Sequence, residues 1–326
     1  MKKIISLILF STLLFSSEKP LLTVYTYDSF TAEWGAGPKV KEAFEKAYHC
    51  RVKFVSTSSA IGTLRKIQIE GRRSKADILL GLDSATIPLA KTTGLFARHE
   101  LDTSGLQLPV AFEDDTFIPY DYNFFAFVYD SRKLSNVPHS LEALAAMPEE
   151  FKIIIEDPRT STIGFGLLLW VKLHYGDQAA DFWHRLSPHI LTVTKGWSEA
   201  YSLFLKGEAD MVLSYTTSPA YHETQEHTTY IKAAHFSGGH YGQIEVAAIL
   251  KRSKHKVLAR KFLQWMQGRE FASIIPLTNW SYPVVPVTLP KAYEHLIHPK
   301  MLMMQQEKIQ EGRKRYIQEW LRAIKR

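Results

Sequence analysis

Aromatic rings and hydroxyl groups crowd a few short stretches of this chain: YDSF (Tyr27 to Phe30), DPRTST (Asp157 to Thr162), KGWSEAY (Lys195 to Tyr201), SYTTSPAY (Ser214 to Tyr221) and TNWSYPV (Thr278 to Val284). With Trp34 nearby, they offer rings at Tyr27, Trp197, Tyr215, Tyr221, Trp280 and Tyr282. Hydroxyls come from Ser29, Ser58, Ser59, Thr160, Ser161, Thr162, Thr216, Thr217 and Ser218, with carboxylates at Asp28 and Asp83. Such a set suits a flat, positively charged ligand, because rings stack on its faces and attract its charge while carboxylates balance it. A second chemistry lies in DPRTSTIG. Thr160, Ser161 and Thr162 precede a helix expected to start near Gly164, so hydroxyls and free backbone N–H groups converge on an anion site. KGWSEAY repeats the arrangement, with Ser198 as the expected cap beside Trp197. Two ordinary N-caps would look the same from spacing alone.

Other chemistries find less support. The lone cysteine, Cys50, lies in AYHCRVKF just before a strand, at the edge away from the strand ends that gather those residues. A cysteine nucleophile needs reach before reactivity. Of the 13 histidines, His222 and His227, then His235 and His240, are spaced by five, whereas metal sites on helices want three or four. There is no phosphate-cradling P-loop and no G-x-S-x-G turn.

The elements that must position these residues alternate. LLTVYTY reads as a strand, GPKVKEAFEKAY as a helix, RVKFVS as a strand, GTLRKIQIEG as a helix closed by Gly71, and ADILLGLD as a strand. This order predicts an α/β fold with a parallel sheet and covering helices, and ligands outside the carboxyl ends of its strands. The rhythm restarts after Pro148 with FKIIIEDPRTST, GFGLLLWVKLHYG, HILTVTKG, WSEAYSLFLKG and ADMVLSYTTSPAY, giving a second lobe. YDYNFFAFVYD (Tyr120 to Asp130) and GQIEVAAILK (Gly242 to Lys251) are extended runs that can cross between lobes and form a hinge around a closing cleft. The expected division is residues 1–17 as an export signal, 18–122 with about 243–285 as the first lobe, and 123–242 with C-terminal helices over about 290–326 as the second. The signal reading rests on Lys2, Lys3 and the apolar Ile4 to Phe15, too short to span a bilayer. The formal charge is +7, but its basic excess gathers in EGRKRYIQEWLRAIKR, where Tyr316, Trp320 and Ile324 recur every four residues. That spacing describes an amphipathic helix with a solvated basic face, and no nucleic-acid partner is expected.

The ordered segments LTVYTYDSF, SKADILLGLD, GLFA, DTFIPYDYNFFAFVYD, DPRTSTIGFGLLLW, TVTKGWSEAYSLFLKGEADMVLSYTTSPAYH and NWSYPV resemble the periplasmic thiamine-binding proteins of bacterial ABC transporters, from about Leu21 to Pro290. The resemblance implies a two-lobed, type II periplasmic binding-protein fold with a ligand cleft between lobes joined by two crossover strands. It further implies a periplasmic, non-enzymatic protein without a cofactor or resident metal. Its ligand would be thiamine, thiamine monophosphate or thiamine diphosphate, passed to a membrane permease served by a separate ATPase. Carried over position by position, Ser161, Thr162, Trp197, Tyr215, Thr216, Thr217 and Ser218 match ligand-binding segments. Tyr27, Tyr221 and Trp280 would face the thiamine rings. The match departs at Ser58-Ser59-Ala60, where relatives have an acidic pair and a glycine. Ser59 and Ala60 still fall at the ligand-binding position, but a serine supplies a neutral contact of about half the strength of a charge-assisted one, unless Asp28 or Asp83 compensates. Two alternatives stand beside this reading. One is a thiamine-cleaving transferase of similar fold using Cys50; the other is a binding protein for a metal ion or polyamine. Iron-binding relatives place adjacent tyrosines where Tyr215 is followed here by Thr216 and Thr217.

Overall fold

The computed structural model describes residues 18–324. The export-signal reading falls on residues 1–17, outside the described residues. In the N-terminal half the chain forms β1 (Leu21–Tyr27), α1 (Asp28–Thr31), α2 (Ala36–Tyr48), β2 (Arg51–Thr57), α3 (Ala60–Glu70), β3 (Ile78–Asp83), α4 (Ile87–Thr92) and the long β4 (Ile118–Asp130). There follow α5 (Leu141–Ala145), β5 (Ile153–Glu156), α6 (Thr162–Tyr175), α7 (Ala179–Leu186), β6 (Ile190–Thr194), α8 (Trp197–Leu205), β7 (Met211–Tyr215), α9 (Ser218–Gln225) and β8 (Ile231–Ala233). The chain returns through β9 (His240–Ile249) and ends with α10 (Lys256–Met266), α11 (Arg269–Thr278), β10 (Tyr282–Pro283), β11 (Met301–Leu302) and α12 (Gln306–Ala323).

The strands run in the order β2-β1-β3-β9-β4-β7-β5-β6. β2, β1 and β3 are parallel, as are β6, β5 and β7, so each lobe has the parallel group that its strand–helix alternation predicts. Between them the sheet is antiparallel, because β4 and β9 are the two crossings and run in opposite directions. β4 pairs with β9 from Ile118 to Phe124 and then with β7 from Phe125 to Tyr129, so one strand belongs to both lobes. All six residues of β3 are buried, and they alternate between two cores: Ile78 and Leu80 face Phe44 and Phe262, while Leu79 and Leu82 face Leu64 and Phe117. Burial on both faces is what a continuous apolar run in a helix-covered sheet means. β7 does the same in the other lobe, with Met211 and Leu213 in one core and Val212 in the other.

α12 packs through Tyr316 and Trp320 against α6 and α7, and also touches α4 of the first lobe. Its basic face is not wholly solvated as the spacing suggests. Arg313 is half-buried with its guanidinium 3.8 Å from the centre of the Phe165 ring, and desolvation lowers its pKa to about 10.

Candidate ligand-binding cleft

Strand ends and helix starts of both lobes enclose a cavity of about 570 Å³. Of the residues expected at a site, Tyr27, Ser59, Ala60, Ser161, Thr162, Trp197, Tyr215, Thr217, Ser218, Tyr221 and Trp280 all line it, as do Asp28, Ser29, Trp34 and Ser58. Thr216 does not. It is fully buried behind the wall, its N–H bonded to the Phe124 carbonyl at 2.9 Å, because consecutive residues leaving a strand point to opposite sides. Asp83 also turns away: its Oδ1 accepts from the Thr86 N–H at 2.9 Å. Thr160 presents only its carbonyl toward the first lobe, and Tyr282 stacks on Tyr122 beneath the wall, 5.3 Å between centroids.

Local sequence explains how these groups are aimed. Ser161 is extended and accepts the Gly164 N–H at 3.2 Å, so α6 begins at Thr162, two residues before the expected start. Gly164 sits inside the helix because a Cβ there would lie 2.2 Å from the Glu156 carbonyl. α8 is entered through Gly196 without a side-chain cap. Ser198, expected as that cap, instead donates to Asp28 Oδ1 across the cleft at 3.1 Å, since its position in the first turn faces the other lobe. α9 starts at Ser218 with Pro219 in its first turn, where a missing N–H costs nothing. The N-terminal residues of α3, α6, α8 and α9 thus border one cavity, and their unpaired N–H groups and dipoles favour negative charge there.

The rings form the opposite environment. Trp280 meets Tyr221 edge-on at 5.3 Å, Trp34 approaches Tyr221 and Trp197 at 6.5 and 6.2 Å, and Trp197 stacks on Tyr201 at 4.9 Å. The Trp197 indole N–H is committed to Ser214 Oγ at 2.8 Å, so Trp197 offers the cavity its ring. Trp280 adopts a positive φ of 54°, rare for an aromatic residue. Asn123 holds it there by donating to its carbonyl at 3.1 Å, and the buried indole N–H of Trp280 has no acceptor among the described residues.

Sequence reasoning passed over the cavity's buried charge. Glu245 lies in β9, read only as a crossing strand, yet it lines the cavity and is 8% exposed. Its Oε2 accepts from Tyr27 Oη and Tyr120 Oη, each at 2.9 Å, and from Asn279 Nδ2 at 3.2 Å. Asn279 also donates to Asp121 Oδ2 at 2.6 Å. The register shifts beside Tyr120 in β4 and beside Gly81 in β3, and such bulges re-aim side chains. Gly81, at φ +102°, is required: a Cβ there would lie 2.3 Å from the Tyr27 ring. Burial raises the pKa of both Glu245 and Asp121, each opposed by the Asn279 bond. The available signal was the alternation of Gln243 and Glu245 in β9, two polar residues on one face, and both line the cavity.

The two lobes meet over the cleft mouth. Ser59 Oγ donates to the Thr160 carbonyl at 2.5 Å, and Arg65 Nη2 donates to the Arg159 carbonyl at 2.8 Å. Cys50 lies just before the far end of β2, about 26 Å of strand from Ser58. It is buried, and burial followed by Glu45 raises its thiol pKa. Among the described residues no cluster of three or more His, Cys, Asp or Glu is placed to hold a metal ion. His222 is engaged with Tyr201 Oη at 2.8 Å and Glu226 Oε2 at 2.7 Å.

Two α/β lobes, two crossing strands and a ligand-sized cleft lined from both sides define a class: the cleft-type solute-binding proteins. Residues 28–272 match the family described as bacterial extracellular solute-binding protein, and the chain belongs to that family. It is 50% identical over 309 residues to the thiamine-binding periplasmic protein of Escherichia coli (strain K12), covering 94% of both chains. A solved structure titled periplasmic thiamin binding protein superposes with a TM-score of 0.93 at 50% identity, covering 94% of this chain and 97% of that one. The ferric binding protein from Campylobacter jejuni shares the fold, with a TM-score of 0.77 at 18% identity over 93% and 99% of the two chains.

Proposed function

We propose that this protein is the periplasmic solute-binding component of a thiamine importer. It captures thiamine and its phosphate esters without breaking a bond and presents them to a membrane permease served by a separate ATPase. The single observation that carries the reading is the cavity's combined lining: aromatic rings and a buried carboxylate together with four helix starts and their hydroxyls. Thiamine matches both, with a cationic aromatic body and a hydroxyethyl arm that carries phosphate in its esters. The similarity to thiamine-binding periplasmic proteins supports the same ligand. Tyr27, Tyr221 and Trp280 enclose the rings, Ser59 and Ala60 border the pyrimidine, and Ser161, Thr162, Tyr215, Thr217 and Ser218 receive the arm. A hydroxyl that accepts a backbone N–H, as Ser161 does, still has its own proton to donate. Thr216 supports the wall from behind.

Closure about β4 and β9 brings Ser59 to Thr160 and Ser198 to Asp28, joining surfaces of both lobes into one face for the permease. Tryptophan fluorescence titrations with thiamine, its monophosphate and its diphosphate test these placements. All three should bind, and Tyr215→Phe should weaken the phosphate esters more than free thiamine. Equal losses would contradict the placement of the arm at Tyr215.

A further inference from the structure

Ser59 cannot supply the negative charge that the resemblance places in its relatives at that position; of the two acids that could compensate, Asp83 is bonded away from the cavity, and Asp28 lines it with its Oδ1 engaged by the Ser29 N–H and the Ser198 hydroxyl. Glu245 stands on the opposite side of the problem: it borders the cavity beside Tyr27, and neither it nor Asp121 has an ion-pair partner among the described residues. Strand register sets Asp121 on one side of Glu245 and Asp83 on the other. The groups packed around the pair are Tyr27 from β1, Asp83 from β3, Tyr120 from β4, Tyr215 from β7, Tyr293 beyond β10, and the neutral Asn279 and Ser281. Asp121 Oδ1 takes no donor among the described residues, while Asn279 Nδ2 donates to both carboxyl groups, at 2.6 and 3.2 Å, and the register sets the two side by side. Two buried carboxyl groups this close favour holding one proton between them.

We propose that Glu245 is the fixed counter-charge of the ligand's cationic ring, and that the Asp121–Glu245 pair exchanges a proton for it: the cation enters the cleft and one proton leaves to solvent. The inference rests on the thiamine reading. It follows from the geometry because Glu245 lines the cavity beside the Tyr27 ring while Asp121, its register partner on the other crossing strand, is fully buried behind it. An empty cleft leaves two buried carboxyls with neutral donors only, which favours keeping a proton. A thiazolium beside Glu245 replaces that proton's charge, with no other group needing to move. Charge neutralisation then comes from the cleft floor, and Ser59 is free to bond the opposite lobe.

Calorimetric titration of the full mature protein with thiamine, in buffers of different ionisation enthalpy, reads the exchanged proton directly. Near neutral pH we expect a net release approaching one proton per thiamine, and affinity that falls by up to about tenfold for each pH unit lowered between pH 8 and 6. Glu245→Gln should abolish both the release and the slope and weaken binding at pH 8 by tenfold or more. Asp121→Asn, which keeps the Asn279 neighbourhood, should retain binding at pH 8 but flatten the slope; thermal unfolding of each variant shows that it is folded. A thiamine analogue with its thiazolium reduced to an uncharged ring should bind the wild type more weakly than thiamine and Glu245→Gln nearly as well as thiamine does. Thiamine binding that is pH-independent from 8 to 6 with no proton released would overturn the exchange while leaving the thiamine reading intact. Absence of thiamine binding at every pH would overturn both.

Discussion

Ser59 shows how one hydroxyl can replace a charge with a different function. It accepts the Gly62 N–H as the cap of α3 and donates to Thr160 across the cleft, so it links helix start to lobe closure. Ser59→Ala should therefore lower stability by about 1 kcal/mol, the usual cost of losing a cap, and weaken thiamine several-fold; chemical denaturation and calorimetry measure the two losses separately. Glu156 is a second residue with a clear expectation. Both its carboxyl oxygens are buried without partners among the described residues, and burial holds its pKa well above the ordinary range. Glu156→Gln should be neutral or stabilising at pH 7.5, read as an unchanged or raised Tm, because a buried unpaired acid is costly when ionised. At this scale much was legible in the sequence: aromatic and hydroxyl residues beside strand ends signal a site by type alone. Glu245 and Asn279 were not: Gln243 and Glu245 alternate in β9, but nothing in the sequence says which neighbours that face meets, a lone Asn before a tryptophan carries no period, and only the fold brings both to Tyr27. Thr216 was misplaced for the same reason, as its neighbours in SYTTSPAY share its chemistry but not its direction.

Among the elements, helix starts carry the closure. A Cβ on Gly196 would lie 2.4 Å from the Ser58 carbonyl in the other lobe. Gly196→Ala should wedge the closed cleft, raising the Kd for thiamine by tenfold or more with little effect on Tm; a large fall in Tm with unchanged affinity would contradict that role. The alternating strand and helix periods were readable because apolar runs and Gly71 or Gly176 punctuate them. The mouth contacts were not. Ser198 reads as a cap by type, and its bond to Asp28 exists only because two lobes meet there. Helix α6 begins earlier than its glycines suggest, since the requirement for Gly164 is steric and comes from Glu156 rather than from a cap.

At the scale of the whole molecule, the buried acids predict an unusual pH response. Asp83 is raised to about 6 by burial, and Glu245, Asp121 and Glu156 are raised for the same leading cause. The native state therefore holds more protons than the unfolded chain from about pH 4 upward, and stability rises as pH falls through that window. His240, lowered to about 4 by burial, acts with the opposite sign below its ordinary 6.5, but as one group against several. The ligand-free protein should show a Tm about 2–4 °C higher at pH 5.5 than at pH 7.5, by scanning calorimetry, and the difference should shrink with thiamine bound. The two-lobed plan was legible from its repeated rhythm, whereas the antiparallel middle of the sheet depends on long-range pairing of β4 with β9. The most direct test of the account is equilibrium binding of thiamine to the purified mature protein by titration calorimetry. It predicts a single site with a Kd of about a micromolar or tighter. No measurable binding of thiamine, its mono- or diphosphate at micromolar concentrations would contradict it.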